Sequence, residues 1–488
     1  MSGHDLEPPD HRGLTPTLQL VIGRSIGLAA SFAIGVILAR LFDPAAFGVY
    51  KQFFLLYATL YGVLQLGMAE SLYYFVPRAD APTGRHVANA MATLAVVGAA
   101  CTGVLYVARP AIAGWLTPEL AANVVPLGIF LACMLTATVL EIVLIAERRH
   151  AVAAVTYAVS DIVRTLLFVL PAVIFVSLRA VFIGAAAFAA LRLAATLVVL
   201  WRAFGPELRL DLPRWREQLA YALPFAAAVG IEVVLINYHQ YVVAARFDAA
   251  TFAVYAIGCM QIPLYDLIVT STVNVFMVRM ADAPGREAAL DLWHDTVTRL
   301  AFLIFPLVGL LVAGAQPLIV GLFTATYTAS VPIFVLWTLT MLPAVMAVDA
   351  VLRVYAQTRF LLVMNLVRLG CVAGLIGAFL SSFGLTGAVL VTLVALTLTK
   401  SLGVVRIATV LGVGPRQVLP WRRLAGIAAM ATVSMAPAAS VQRLADWPPL
   451  LVFLLSSAAY TATYALLAYG VTLVSRPAPQ ERETSCAA

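Results

Sequence analysis

Five basic side chains lie inside long apolar stretches of the sequence and are the first candidates for chemistry: Arg24, Arg164, Arg192, Arg368 and Lys400. A charged side chain within hydrocarbon is costly, so such residues usually face a water-filled cavity or a partner. Guanidinium and ammonium groups also form charge-assisted hydrogen bonds with phosphate oxygens. The chemistry that these residues offer is therefore the binding of an anionic group inside the membrane.

Internal ion pairing is the alternative for these cations. Asp161 lies three residues before Arg164, a spacing that brings two side chains to one helix face. Arg24 lies about 9 Å from the end of its apolar stretch, so its head group can extend to the surface. Asp349 is followed one turn later by Arg353, and this spacing predicts a local ion pair.

Three acidic residues are candidates for binding a coupling ion or for lining a cavity: Asp161, Glu232 and Asp266. Coupling to H⁺ or Na⁺ requires a carboxylate with a shifted pKa that faces a cavity. Glu232 shares a helix face with His239, and Asp266 lies in the middle of an apolar stretch. A buried, hydrogen-bonded acid is the alternative for each of them.

Two further patterns recur at helical spacing. Tyr57 and Tyr61 lie one turn apart and are candidates to stack on sugar rings, although a packing stripe would have the same spacing. A stripe of small residues, which includes Gly27, Ser31 and Gly35, favours close packing against another helix.

The elements that position these residues are membrane-spanning helices. The 488 residues are 62% hydrophobic and 11% charged, with a mean hydropathy of +0.96, whereas soluble domains have roughly 25% charged residues. This composition excludes a soluble enzyme, and only helices satisfy the backbone over such long apolar runs. We predict about 14 spans, near residues 18–41, 51–76, 87–109, 122–146, 152–176, 180–203, 219–245, 255–279, 297–317, 330–353, 360–382, 385–410, 423–443 and 449–474.

The distribution of basic residues predicts the orientation. Most arginines outside the spans fall in alternate connections, and the positive-inside rule places these connections and both termini in the cytoplasm. The net charge of +7 therefore reflects topology and not a nucleic-acid partner. The five cysteines are scattered without metal-binding or redox spacing, and the sequence predicts no metal and no cofactor.

An internal repeat sets the predicted architecture. The segment FDPAAFGVY (42–50) recurs as FDAATFAVY (247–255), and VSDIVR (159–164) recurs as VMNLVR (363–368). The offset stays between 201 and 207 along the chain, which makes Arg164 and Arg368 repeat mates. The same offset takes Arg192 to a position near 396, one turn from Lys400.

The repeat predicts an all-α membrane protein with two six-helix lobes related by a pseudo-twofold axis along the membrane normal, plus two C-terminal helices. The expected divisions are a cytoplasmic tail (1–17), the first lobe (18–203), an interfacial linker (204–218), the second lobe (219–410), a linker with two further spans (411–474) and a cytoplasmic tail (475–488).

Several motifs resemble the polysaccharide flippases of the multidrug/oligosaccharidyl-lipid/polysaccharide (MOP) exporter superfamily. They are ARLFDPAAFGVYKQF with QLGMAESLYYFVPR (65–78), and QTRFLLVMNLVRL with FGLTGAVLVTLVAL within 357–396. The resemblance implies a transporter that flips an oligosaccharide linked to undecaprenyl diphosphate to the outer leaflet by alternating access. For such a substrate we predict that the five basic residues form a cationic cavity between the lobes and bind the diphosphate. We also expect a monomeric protein in the bacterial plasma membrane, with a polysaccharide polymerase and co-polymerase as partners.

Two other functions stay open at this point. A lipid II flippase shares the span count and the basic residues. A cation-coupled drug antiporter of the same superfamily would have about 12 spans and a more acidic cavity. An enzyme is disfavoured, because no long loop carries catalytic residues and no nucleotide-binding motif is present.

Overall fold

The structure is a computed structural model that describes residues 14–78, 82–283, 285–414, 416–444 and 447–474. Side chains are described within these ranges except at 14–26, 28, 150, 444 and 472–474. The described residues form α-helices with short 3₁₀ turns and no strand, which confirms the all-α prediction. Most of the predicted tail 1–17 and the whole of 475–488 lie outside the described residues.

The chain divides into two compact units, Met1–Ala256 and Ile257–Ala488. The first contains α1 (Leu14–Leu41), α2 (Pro44–Leu64), α3 (Leu72–Phe75), α4 (Thr83–Val107), α5 (Arg109–Trp115), α6 (Pro118–Ala122), α7 (Val124–Ala146), α8 (His150–Phe175), α9 (Leu178–Phe204), α10 (Leu212–Arg246) and most of α11 (Ala249–Gly258). Its core lies between α4 and α7, where Leu94, Leu131 and Leu135 are fully buried.

The second unit contains α12 (Pro263–Ala281), α13 (Arg286–Ala313), α14 (Ala315–Phe323), α15 (Ser330–Leu339), α16 (Val348–Val354), α17 (Thr358–Phe383), α18 (Leu385–Leu411), α19 (Trp421–Val433), α20 (Met435–Leu444) and α21 (Pro449–Val474). Its core surrounds α13, where Trp293 is fully buried and its indole N–H donates to the Met346 carbonyl at 2.9 Å. The predicted lobe limits at 203 and 219 stay a prediction.

Each of the 14 predicted spans coincides with a helix or with two successive helices. Twelve helical stretches of the described residues are long and apolar enough to cross a membrane. The first two predicted spans coincide with α1 and α2, which fall outside this group. Four predicted spans are divided, namely those near 51–76, 255–279, 330–353 and 423–443.

Local sequence explains these divisions. After α2 the backbone takes left-handed conformations at Leu66 and Gly67, with φ of 49° and 64°. The predicted eighth span breaks before Pro263, whose ring is compatible with the first turn of a helix but not with its interior. Non-helical backbone at membrane depth is tolerated where protein or a water-filled cavity covers it.

The repeated FD motif is a helix-capping motif in both copies. The Asp43 carboxylate accepts the Ala46 backbone N–H at 2.7 Å where α2 begins. Asp248 accepts the Thr251 backbone N–H at 2.8 Å near the start of α11. Hydrogen bonds from Thr251 keep the pKa of the Asp248 carboxyl below its usual range. The most visible sequence repeat therefore preserves two helix starts.

Asp211 fastens the start of α10 to the start of α4. Its carboxylate accepts a hydrogen bond from Arg85 at 2.9 Å and caps α10 through the Arg214 backbone N–H. The Asn89 side chain exchanges two hydrogen bonds of 3.0 Å with the Asp211 backbone. The linker before α10 is thereby fixed to the neighbouring helix.

This contact is expected to weaken in acid. The hydrogen bond from Arg85, followed by that from the Arg214 backbone N–H, lowers the pKa of the Asp211 carboxyl. A carboxyl with a lowered folded-state pKa stabilises the fold above its unfolded value, about 3.9, and loses this contribution as pH falls through the folded value. Thermal unfolding followed from pH 7 to pH 3 should show a smaller acid loss in Asp211→Asn than in the native protein. Equal losses would contradict this account.

Candidate functional site

Two ion pairs occupy matching positions in the two repeats. The Arg192 guanidinium of α9 donates to the Glu141 carboxylate of α7, and the Lys400 ammonium of α18 donates to the Asp349 carboxylate of α16. Each residue of the second pair lies 208 positions after its counterpart, and 51 residues separate the partners in both pairs. Arg192 and Lys400 are therefore direct repeat mates.

The partner of Asp349 differs from the one that the sequence predicts. Asp349 contacts Lys400 and not Arg353, because the first turn of α16 packs against α18. The side chains of Glu141 and Arg192 are 9% and 16% exposed, whereas Asp349 is 50% exposed. The Glu141 carboxylate is therefore more strongly shielded from solvent than that of Asp349, whereas Lys400, at 13%, is shielded about as well as Arg192.

Arg164 forms a third ion pair within its own helix. Its guanidinium lies 2.7 Å from the Asp161 carboxylate and also donates to the Ser31 hydroxyl of α1. A weaker contact of 3.5 Å joins it to the Gly27 carbonyl. Of the two interpretations that the sequence left open for Arg164, this structure shows the internal pair. The stripe of small residues on α1 is what allows α8 to bring both charges so close.

Gly27 is a sensitive position in this contact. A Cβ atom at Gly27 would lie 1.8 Å from the Asp161 carboxylate, whereas at Gly35 it would meet nothing within 4 Å. We expect Gly27→Ala to displace Asp161 and to destabilise the protein by about 1–3 kcal/mol. The matched variant Gly35→Ala should be neutral or stabilising. Unfolding midpoints of the two purified variants test this, and equal midpoints would refute it.

The second repeat carries a different charge at the equivalent of this third pair. Arg368 of α17 is the repeat mate of Arg164 and is half-buried, but the equivalent of Asp161 is the neutral Asn365. In the first repeat, Arg164 and Arg192 are balanced by Asp161 and Glu141. At the same four positions the second repeat has Asn365, Asp349, Arg368 and Lys400, so the formal charge of these four positions is +1 there and zero in the first repeat.

A cavity adjoins the Glu141–Arg192 pair. It has a volume of about 390 Å³ and lies between α7, α8 and α9 within the first unit. Its walls are largely apolar, with Thr156 and Ser160 as further polar residues. The volume is in the range of small-ligand sites. An anionic group that entered it would meet the Arg192 guanidinium.

The other predicted site residues lie in varied surroundings. Glu232 is exposed on α10, while His239 on the same helix is buried and 2.6 Å from the Tyr255 hydroxyl. Asp266 is exposed in the first turn of α12, next to the break in the predicted eighth span. Their roles in ion coupling stay predictions. Within the described residues, no three His, Cys, Asp or Glu side chains form a group that could hold a metal ion.

The tyrosines belong to an aromatic cluster of the first unit. The rings of Tyr57 and Tyr61 are 5.4 Å apart, and Tyr57 packs 4.6 Å from Phe130. Both tyrosines are half-buried and pack against neighbouring side chains, as the packing alternative predicts. Their contacts with sugar rings stay a prediction. Arg24 is in α1, and its side chain lies outside the described residues.

Comparisons with known proteins agree with this fold. Residues 37–332 match the family model described as polysaccharide biosynthesis protein. No curated protein matches the chain. The solved structure of the lipid II flippase MurJ in an inward closed conformation is 13% identical, covers 95% of this chain and all of its own, and has a TM-score of 0.72.

The fold of this chain is also similar to that of a drug transporter and of a related transporter. An inward-facing multidrug resistance MATE family transporter of the MOP superfamily is 14% identical, with a TM-score of 0.60, and covers 80% of this chain and 98% of its own. Another similar structure is a MOP superfamily transporter from Pyrococcus furiosus, which is described as having a binding pocket of reversed polarity. It is 13% identical, has a TM-score of 0.57 and covers 81% of this chain and 94% of its own. At these identities the likeness concerns the fold.

Proposed function

The chain belongs to the polysaccharide biosynthesis protein family, and we propose that it flips a polyprenyl-diphosphate-linked oligosaccharide to the outer leaflet of the bacterial plasma membrane. The product would serve O-antigen or exopolysaccharide synthesis. The undecaprenyl-linked glycan is the proposed substrate, and a polymerase and co-polymerase are proposed partners. H⁺ or Na⁺ is the proposed coupling ion, with Glu232 or Asp266 as its binding residue.

The observation that carries this proposal is the duplicated set of charges at membrane depth. Each repeat keeps two cations on its fifth and sixth spans, and carboxylates pair with Arg164, Arg192 and Lys400. Retaining charged pairs in an apolar segment costs stability compared with apolar residues of similar size. A need to receive an anion inside the membrane explains why both repeats retain them.

The proposed binding step exchanges a carboxylate for a phosphate. Without substrate, Glu141, Asp161 and Asp349 neutralise the cations and limit the cost of burying them. The diphosphate then takes the place of a carboxylate, because guanidinium groups bind phosphate oxygens through charge-assisted, often bidentate bonds. The formal charge of +1 at the four equivalent positions of the second repeat favours the arrival of the anion there. Alternating access of the two repeats is the proposed route across the membrane.

A lipid II flippase is the second candidate. It is favoured by the similarity to MurJ, which covers 95% of this chain, compared with 80% for the MATE transporter. Both candidate substrates carry a diphosphate on a polyprenol and differ in the attached glycan. A drug antiporter is the least favoured, because the duplicated cations suit an anionic ligand.

Transport into vesicles tests the proposal directly. The purified full chain is reconstituted, the appearance of each lipid-linked substrate in the outer leaflet is measured by its accessibility to a glycosidase added outside, and transport of a cationic drug is measured by the change in its fluorescence. We expect transport of polyprenyl-diphosphate oligosaccharide and little transport of lipid II or of a cationic drug. Faster transport of lipid II would establish the second candidate, and drug transport alone would overturn the proposal.

Gene deletion identifies the glycan. In the native cells, loss of the protein should cause one lipid-linked oligosaccharide to accumulate on the inner leaflet, while peptidoglycan precursors stay at their normal level. The reverse pattern would contradict a role in surface polysaccharide synthesis.

A further inference from the structure

Arg422 and Arg423 line two adjoining cavities of opposite character within the second unit. One cavity, of about 550 Å³, is polar and lies between the start of α19 and residues of α13. The other, of about 640 Å³, is an apolar groove between α13, α19 and α21. The two arginines stand where the cavities meet. A site with a charged end and an apolar end matches an amphiphilic ligand.

The polar cavity favours an anion. Its charged residues are Arg416, Arg422 and Arg423 against Asp291 and Asp295, and Arg299 already bonds Asp295 at 2.9 Å. Among the described residues, no carboxylate forms an ion pair with Arg422 or Arg423. The 13-residue helix α19 begins beside them, and the positive end of its dipole adds to the attraction for an anion.

The apolar groove has the depth of one leaflet. It extends along α19 from Arg422 to Met430, a rise of about 12 Å, compared with about 15 Å for half of the hydrocarbon thickness. Phe302 and Ile427 form part of its walls, and Tyr469 at its edge is 64% exposed. A Cβ atom at Gly426 would meet nothing within 4 Å, so the groove is open there.

We propose that an anionic phospholipid of the membrane binds here, with its phosphate on Arg422 and Arg423 and one acyl chain in the groove. The groove is long enough for one acyl chain but for only part of a polyprenyl chain, so the occupant is a lipid of the surrounding leaflet and not the transported molecule. The site joins α13 of the second repeat to the two C-terminal helices, and a bound lipid would hold these elements together.

Retention of phosphatidylglycerol by the purified full chain tests this site, measured by native mass spectrometry against phosphatidylcholine. We expect Arg422→Gln/Arg423→Gln to weaken retention by about 30-fold, since each of the two basic residues at an anionic surface contributes about 1 kcal/mol. Gly426→Leu should weaken it as well, because its side chain fills the groove while both arginines remain. The control Arg202→Gln/Arg209→Gln makes the same change in net charge in the first unit and should retain the lipid.

Four results would overturn the proposal. The protein could retain phosphatidylcholine as well as phosphatidylglycerol, or the control variant could lose as much lipid as the Arg422→Gln/Arg423→Gln variant. The protein could retain polyprenyl diphosphate in place of phosphatidylglycerol, or inorganic phosphate could compete with the lipid while Gly426→Leu has no effect. Size-exclusion profiles and unfolding midpoints matching those of the native protein show that each variant is folded. Because phospholipid retention does not depend on the transported substrate, this test of the lipid site is independent of the test of the proposed function.

Discussion

Neutralising both members of the Glu141–Arg192 pair, in Glu141→Gln/Arg192→Gln, is expected to leave a folded protein that transports almost no substrate. Replacing both partners of a buried pair removes the attraction together with the cost of burying two charges, so the effect on stability is small. The cation proposed to receive the phosphate is lost at the same time. In this variant the unfolding midpoint should therefore stay near the native value while the transport rate falls to almost zero.

The single variants should behave differently from the double variant. Glu141→Gln leaves a buried guanidinium and Arg192→Gln a buried carboxylate without its partner, and breaking a buried pair in this way costs about 3–5 kcal/mol. The amount of folded protein in the membrane and the unfolding midpoint should fall in both. A double-mutant cycle on these midpoints gives the coupling energy of the pair.

The repeat mate supplies a matched control. In Asp349→Asn/Lys400→Gln the same neutral amide replacements are made 208 positions later, where Asp349 is 50% exposed. Lys400→Gln should lose less stability than Arg192→Gln, because the Asp349 carboxylate that it leaves is half exposed and solvent screens its charge. If Glu141→Gln/Arg192→Gln transports normally, the first pair has only a structural role and the phosphate-exchange step is wrong.

Much of the fold follows from the sequence because the membrane restricts what a chain can do. Apolar runs long enough to cross it must be helical, so all 14 predicted spans coincide with helices. The FD motif can be recognised in the sequence because its role is local. Asp43 and Asp248 each cap the helix that follows them. The breaks in four spans are harder to foresee, since residues such as Leu66 and Cys259 remain apolar where the helix stops.

The ion pairs depend on information that a single segment does not contain. Spacing along one helix predicts Asp161 with Arg164 correctly and Asp349 with Arg353 wrongly, because the packing of α16 against α18 decides the second case. One signal was available in the sequence. Glu141 and Arg192 have acidic and basic counterparts at a common offset of 208, and two charges that shift together predict a contact within each repeat.

Introducing a carboxylate at position 365 should impair substrate binding without unfolding the protein. Asn365→Asp restores in the second repeat the acid that Asp161 provides in the first, and it cancels the formal charge of +1 at the four equivalent positions. The new carboxylate competes with phosphate for Arg368. Since a hydrogen bond to a charged group contributes about 1.5–3 kcal/mol, the apparent KM for the diphosphate substrate should rise about 10- to 100-fold.

The isosteric variant Asn365→Leu separates charge from the loss of the amide. It has no carboxylate, so transport rates across a range of substrate concentrations should stay near those of the native protein. Both variants are compared in the vesicle assay after their unfolding midpoints have been matched. The reciprocal Asp161→Asn gives the first repeat the charge of the second, but it also removes a carboxylate that Arg164 contacts at 2.7 Å and should lower stability. If Asn365→Asp and Asn365→Leu give the same KM, charge at Arg368 does not govern binding, and the asymmetry between the repeats needs another explanation.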